Sequence, residues 1–309
     1  MIELDDVLAA RRRVGDAVRR TPTLDTHLAG VGPVVLKLEQ LQHTGSFKPR
    51  GMLNRVMAAV ERGEVGPAGV VTASGGNAGL AVAYAARREG VSARVFVPET
   101  CPQVKVDRLR RLGADVVQVG DRYSAAYEAA VVAAEQSGAI FCHAYDQPEV
   151  CAGQGTLGLE LWEQTDGGVD TVLIAVGGGG LMAGVATSLE GRARVIAVEP
   201  ALVPTLADAF AAGQPVDVPV SGVAADSLGA TRVGEIAWSV ANRAGVGSVL
   251  VDEESIVTAR RLVWDEWRLV VEHGAGVGVA ALLSGAYRPA PGERVAVVLC
   301  GGNTSPSDL

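Results

Sequence analysis

Lysine is almost missing from this sequence: three stand among 27 Lys and Arg residues, at positions 37, 48 and 105. Aromatic residues are scarce too, at 4%, while hydrophobic residues reach 48%, so the core must be built mostly from Ala, Val and Leu. That composition suits buried parallel strands covered by small-residue helices. No apolar run approaches the ~20 residues of a membrane span, so no membrane partner is expected. The opening MIELDDVLAARRR puts acids first and has no apolar h-region, so no secretory leader is expected. Cys101, Cys142, Cys151 and Cys300 show neither CxxC spacing nor disulfide density, which fits a reduced, cytoplasmic protein. Histidines 27, 43, 143 and 273 are scattered without zinc-ligand spacing, which argues against zinc chemistry. A formal net charge of −8 argues against a nucleic-acid partner, whose binding rests on phosphate neutralisation. The only basic runs, Arg11–Arg13 and Arg19–Arg20, read as solvated helix faces.

What the chain does contain is alternation. β-branched runs at Val34–Leu38, Val70–Thr72, Arg94–Val97, Val116–Val119, Thr171–Val176, Val195–Val198 and Val295–Leu299 read as strands. Helical patterns lie between them at Met52–Glu61, Gly79–Arg88, Val104–Leu112, Ser124–Gln136, Gly158–Trp162, Leu181–Leu189 and Ser255–Val270. Strand–helix alternation at this spacing predicts parallel βαβ units. The chain is expected to pass between two subdomains near Gly66–Gly69 and Cys142–Gln154. A large unit would then comprise residues 1–66 and 147–309, and a small substrate-side unit residues 67–146.

Three glycine-bearing loops follow strands, where open α/β sheets place ligand sites. In VVTASGGNAG, the strand runs through Ser74, Gly75, Gly76 and Asn77 into a helix whose first amides are unpaired, a turn that suits a carboxylate. Simple N-capping by Ser74 or Asn77 explains the same residues. In TVLIAVGGGGLMAG, four consecutive glycines let several amides converge on a phosphate. No GK[ST] follows, so this is not a Walker loop. It loosely fits a dinucleotide fingerprint, with Gly178, Gly180 and Ala183 as GxGxxA and Glu199 near where a ribose-binding acid would stand. In RVAVVLCGGN, the strand ends on Cys300, where a buried thiol beside a turn is the ordinary outcome. A dinucleotide leaves Lys48, Asn77 and Cys300 without roles. A cofactor combining a phosphate, an aldehyde and an aromatic ring uses all of them, and pyridoxal phosphate has those parts. Of the three lysines, Lys48 in TGSFKPRG alone sits in a turn among small neighbours.

These residues resemble the fold-type II pyridoxal phosphate enzymes, in particular the serine/threonine dehydratase and serine racemase group. The likeness spans nearly the whole chain: KLEQLQHTGSFKPRG, SGGNAG, CAGQGT, VGGGGLMAG, VEP, AGVGVAALLSG and CGGN occur in family order. The resemblance implies an α/β fold of two open parallel-sheet subdomains with the cofactor between them. It implies Lys48 as the lysine that condenses with the cofactor and takes the substrate's α-proton, and Phe47 as the aromatic packed on its ring. Asn77 would bond the ring's phenolic oxygen, Gly177, Gly178, Gly179, Gly180 and Leu181 the phosphate, and Cys300 the pyridine nitrogen. Ser74, Gly75, Asn77 and Ala78 would hold the substrate carboxylate. A thiol at the ring nitrogen makes a moderate electron sink, which suits expulsion of a β-hydroxyl, protonated by the cofactor phosphate in the family.

The departures are informative. Racemases of this group carry a serine two residues before the asparagine, where this chain has Gly75, so dehydration is favoured over racemisation. Divalent-metal members carry a carboxylate six residues after the glutamate matching Glu199, where this chain has Thr205. A monovalent-cation site at Glu199 and Thr205 is therefore more in keeping than a magnesium site. His273 replaces the usual proline after Glu272, which leaves that side of the site open to question. No regulatory domain is expected after Cys300, and so no control by isoleucine. The expected function is α,β-elimination from L-threonine or L-serine to a 2-oxo acid and ammonia, by a homodimer as in the family. The alternatives are a dehydratase of a bulkier β-hydroxy amino acid, a serine racemase, and a catalytically silent binding protein on the same fold.

Overall fold

A computed structural model describes residues 1–309. Its strands, in chain order, are β1 (Thr23–Leu28), β2 (Gly32–Lys37), β3 (Val70–Ala73), β4 (Ala93–Val97), β5 (Asp115–Gln118), β6 (Ile140–Phe141), β7 (Thr171–Ala175), β8 (Arg194–Pro200), β9 (Gly247–Val251) and β10 (Val295–Val298). They form two sheets. The larger is six-stranded in the order β1-β2-β10-β7-β8-β9, and the smaller four-stranded in the order β5-β4-β3-β6. Every pairing is parallel except β1 with β2. Parallel strands covered on both faces must be apolar throughout, and β3, β7 and β10 are buried along their whole lengths. The parallel βαβ units expected from the alternation, and the two-sheet α/β architecture that the resemblance implies, are both present.

All seven anticipated strands occur, with ends shifted by a residue or two. Three more were not legible. β1 is an edge strand with polar residues at Thr23, Asp25, Thr26 and His27, β6 has two residues, and β9 opens on a glycine. The helix Leu4–Val14 carries the Arg11–Arg13 run as expected, whereas Arg19–Arg20 lie past its end outside any helix, because the chain turns there toward β1. Helices at Thr205–Ala212, Ala225–Leu228, Glu235–Ala244 and His273–Ser284 were not anticipated. The last, HGAGVGVAALLS, is too glycine-rich to read as a helix, but residues 274–282 are buried and tertiary packing supplies what propensity lacks. The helix expected over Gly158–Trp162 begins ten residues earlier, at Pro148. Proline suits a first helical turn, and Gly153, Gly155 and Gly158 are close contacts with neighbouring chain segments rather than breaks.

One element ties the two sheets together. The helix Lys48–Glu61 carries Pro49 in its first turn and drives Met52, Leu53 and Val56 into the core of the small sheet, beside Val70, Leu80 and Val95. Its other side packs along the helix Pro148–Gln164, so closely that a Cβ on Gly153 would collide with the Arg50 carbonyl. The start of this helix therefore lies at the seam between the sheets, and Lys48 is its first residue. No helix is long and apolar enough to cross a membrane.

Candidate functional site

Three strands deliver loops to one gap between the sheets. Each loop leaves a carboxyl end: β3 runs into Ser74–Ala78, β7 into Gly177–Gly180, and β10 into Cys300–Asn303, the place where open α/β sheets bind ligands. The Lys48 turn is stitched to the third loop: the Phe47 amide donates to the Cys300 carbonyl at 3.0 Å, and Ser46 bridges Gly301.

The three lysines are treated differently. Lys37 is fully buried and paired with Glu160, and Lys105 bonds Asp226 at 2.6 Å. Lys48 has no carboxylate partner. Its amine donates to the carbonyl of Ala144 at 2.8 Å and lies 5.0 Å from the centre of the Phe47 ring. Burial disfavours the ammonium and lowers the pKa to about 8, against the opposing pull of the Glu272 carboxylate. Lys48 is thus a partly neutral amine at neutral pH, the state a nucleophile or base requires.

The glycine run ends in a helix, Gly180–Leu189, entered through Gly179 at φ 83°. None of the amides of Gly178, Gly179, Gly180 and Leu181 donates to a protein acceptor. Buried amides are nearly always paired, so four free donors on an N-terminal turn form a cradle fitted to a phosphate dianion. The amides of Gly75, Asn77 and Ala78 are likewise unspent, at the start of the helix Asn77–Glu89, while the Gly76 amide donates to the Ser74 hydroxyl at 3.2 Å. That loop suits a carboxylate. A side chain at Gly75 would displace its neighbour, because a Cβ there would stand 2.8 Å from Cys101 Sγ.

Asn77 donates to Glu272 Oε1 at 2.8 Å and accepts from Asn303 at 2.7 Å. Cys300 is buried, and burial raises its thiol pKa so that it stays protonated and neutral. Hydrogen bonds thus join the Lys48–Phe47 turn, Asn77 and the Cys300 loop, and Tyr145, next to the Ala144 that holds Lys48, lies against Gly178 and Gly180 of the tetraglycine loop. Glu199 and Thr205 lie behind the tetraglycine loop. The Thr205 hydroxyl donates its one proton to the Gly177 carbonyl at 2.5 Å, with Glu199 Oε1 3.0 Å from the same oxygen, and Glu199 accepts from the amides of Leu206 and Ala207, capping the helix Thr205–Ala212. His273 points away from the gap, with Nε2 3.4 Å from Arg260 Nη1. Sequence reasoning passed over Ala144, Cys101, Glu272 and Asn303 as site residues. A lone glutamate inside the apolar run VVEHGAG and the asparagine closing CGGN were the available signals for two of them.

A family model described as pyridoxal-phosphate dependent enzyme matches residues 14–301. The chain is 39% identical to the L-threonine ammonia-lyase of Geobacter sulfurreducens over 97% of this chain and 74% of that one. It is 34% identical to the phenylserine dehydratase of Ralstonia pickettii, over 98% of this chain and 93% of that one. The solved threonine deaminase of T.th. superposes with a TM-score of 0.89 at 36% identity, covering 99% of each chain. The chain belongs to the pyridoxal-phosphate dependent enzymes, with the two parallel-sheet subdomains of fold type II. Its cofactor is pyridoxal 5'-phosphate, and the free amides of the glycine loop together with the uncompensated Lys48 amine fit that molecule.

Proposed function

We propose that this chain is an L-threonine/L-serine ammonia-lyase, removing the α-proton and the β-hydroxyl to give a 2-oxo acid and ammonia. The observation that carries the reading is a single well-placed base, the Lys48 amine, together with a side-chain-free Gly75 crowded by Cys101. When bound, the cofactor supplies an aldehyde that condenses with amines and a ring that draws electrons from the neighbouring carbon. The amides of Gly178 to Leu181 hold the phosphate, and the Phe47 ring gives the aromatic system a face to stack on. The neutral Cys300 thiol gives the ring nitrogen a weak partner and no counter-charge, which limits how much negative charge the ring side can store. The unspent amides of Gly75, Asn77 and Ala78 orient the substrate carboxylate, presenting the α-hydrogen to Lys48. Lys48, neutral in part at physiological pH, accepts that proton. Burial raises the pKa of Cys101, which keeps its thiol protonated and leaves no thiolate to act as a base, and Gly75 offers none. Elimination therefore has its base, and racemisation lacks a second one.

A second reading, a bulkier β-hydroxy amino acid as substrate, is favoured by the 34% identity to a phenylserine dehydratase. A monovalent cation at Glu199 would have to share that carboxylate with the amides of Leu206 and Ala207. A cytoplasmic homodimer completes the proposal, with sedimentation as its check. The main test supplies pyridoxal phosphate and a panel of β-hydroxy amino acids and identifies the product. L-Threonine and L-serine are expected to give 2-oxo acids, and Lys48→Ala to keep its fold but lose turnover. A preparation that binds the cofactor yet makes no 2-oxo acid from either amino acid overturns the lead, and turnover of a 3-arylserine alone establishes the second reading.

A further inference from the structure

Asn77 belongs to a chain of side chains whose orientations follow from one fixed point. The Thr44 carbonyl can only accept, so the Asn303 atom 2.7 Å from it must be the side-chain nitrogen. That nitrogen is also 2.7 Å from Asn77, which must present its oxygen there. The Asn77 nitrogen is thereby turned the other way, 2.8 Å from Glu272 Oε1. Amide oxygen and nitrogen are otherwise hard to tell apart; here a backbone carbonyl decides both side chains in turn. Glu272 uses one N–H of Asn77. The second has no protein acceptor, and Asn77 borders a pocket shared with Gly75, Gly76, Glu272 and Asn303.

The backbone is shaped around this chain. Thr44 is held at φ 60°, a conformation that costs a non-glycine residue energy unless its surroundings impose it. A Cβ on Gly45 would come within 2.8 Å of Asn303 Oδ1, and one on Gly301 would collide with Glu272 Oε1. Glu272 precedes the helix His273–Ser284, where a carboxylate could cap the first turn. Its side chain makes no such bond and reaches for Asn77 instead.

We propose that Asn303 and Glu272 are positioning residues for Asn77. Asn303, anchored on Thr44, and Glu272, from the far side, lock the Asn77 amide with its nitrogen presented to an oxygen of the bound cofactor. This rests on the reading that Asn77 faces pyridoxal phosphate. Without the lock the amide is free to turn over and present an oxygen to an oxygen, which repels.

Three variants of the holoenzyme test it. Asn303→Asp keeps size but cannot donate to Thr44 or Asn77, and is expected to weaken cofactor binding about tenfold or more and to shift the absorbance of the bound cofactor. Glu272→Ala is expected to move both readouts the same way. Glu272→Gln keeps an acceptor oxygen for Asn77, so affinity should hold within about twofold. The groups facing Glu272 are Lys48, Asp226, Cys300, Asn77 and the Asn303 backbone, with Lys105 and Arg108 lining the same pocket, and loss of its charge should move the pH titration of the cofactor absorbance to lower pH. A purely structural role would lower the melting temperature and leave affinity and spectrum alone. Asn303→Asp with wild-type affinity and spectrum overturns the proposal. Should that variant not fold, Glu272→Ala with wild-type affinity and spectrum does so. If the wild-type chain itself takes up no cofactor, the reading of Asn77 fails first, which is a distinct result.

Discussion

The Lys48 amine donates to the carbonyl of Ala144 at 2.8 Å, and with that bond the first residue of one helix meets the segment leaving the small sheet. The contact holds the amine at the seam without giving it a counter-charge. A carboxylate in the place of that carbonyl would keep the amine protonated; a carbonyl leaves the pKa to burial.

The pH dependence follows. Lys48 must be neutral to accept the α-proton, and its pKa is lowered to about 8. Turnover at saturating substrate should therefore rise with pH through about 8 and level off above it. Glu272 raises the Lys48 pKa by its charge, so Glu272→Gln should shift that limb to lower pH. Initial rates from pH 6 to 10 check both statements.

Glu272 predicts a stability effect of definite sign. Burial raises its pKa to about 7, so between the unfolded value of 4.5 and about 7 the folded chain binds more protons than the unfolded one. Stability must then fall as pH rises through that window. In the cofactor-free protein, Glu272→Gln should gain stability over wild type at pH 8 and gain little at pH 4.5. Urea unfolding at both values measures the difference.

Gly75 and Cys101 should be exchangeable as a pair. Gly75→Ser alone drives a Cβ to 2.8 Å from Cys101 Sγ, so it should lower the melting temperature. Gly75→Ser with Cys101→Ala relieves the contact and places a hydroxyl in that loop. Chiral analysis of L-serine incubated with the double variant should detect D-serine, and wild type should form none.

Behind the site, the Arg50 guanidinium bonds Glu39 at 2.7 Å and Glu160 at 3.0 Å, and Lys37 completes a buried cluster. Arg50→Met leaves Glu39 buried without its partner, a change expected to cost about 3–5 kcal/mol. Denaturant titration reads it directly. Because Arg50 lies in the first turn of the Lys48 helix, turnover should fall as well.

Much of this was legible in advance because it was local. β7 and β10 announced themselves as apolar runs, and the loops after them as glycine clusters, since a backbone that must turn sharply or face an anion tolerates few other residues. The elements that escaped notice are those whose conformation is imposed from outside. The helix His273–Ser284 contradicts its own glycine content and is held by burial, and β1 is an edge strand whose polar face hides its pattern.

By itself the sequence determined the alternation of strands and helices, the three carboxyl-end loops, and a lysine retained where nearly every other cation is an arginine. These are properties of short segments, set by periodicity, steric freedom and side-chain chemistry. Only the tertiary structure decided that Lys48 has a carbonyl for a partner, that Cys101 fills the space beside Gly75, and that Asn77 is held between Asn303 and Glu272. Those relationships join residues 96, 26, 226 and 195 positions apart. Their physical basis is burial and hydrogen-bond direction across a gap, quantities that no single stretch of the chain contains.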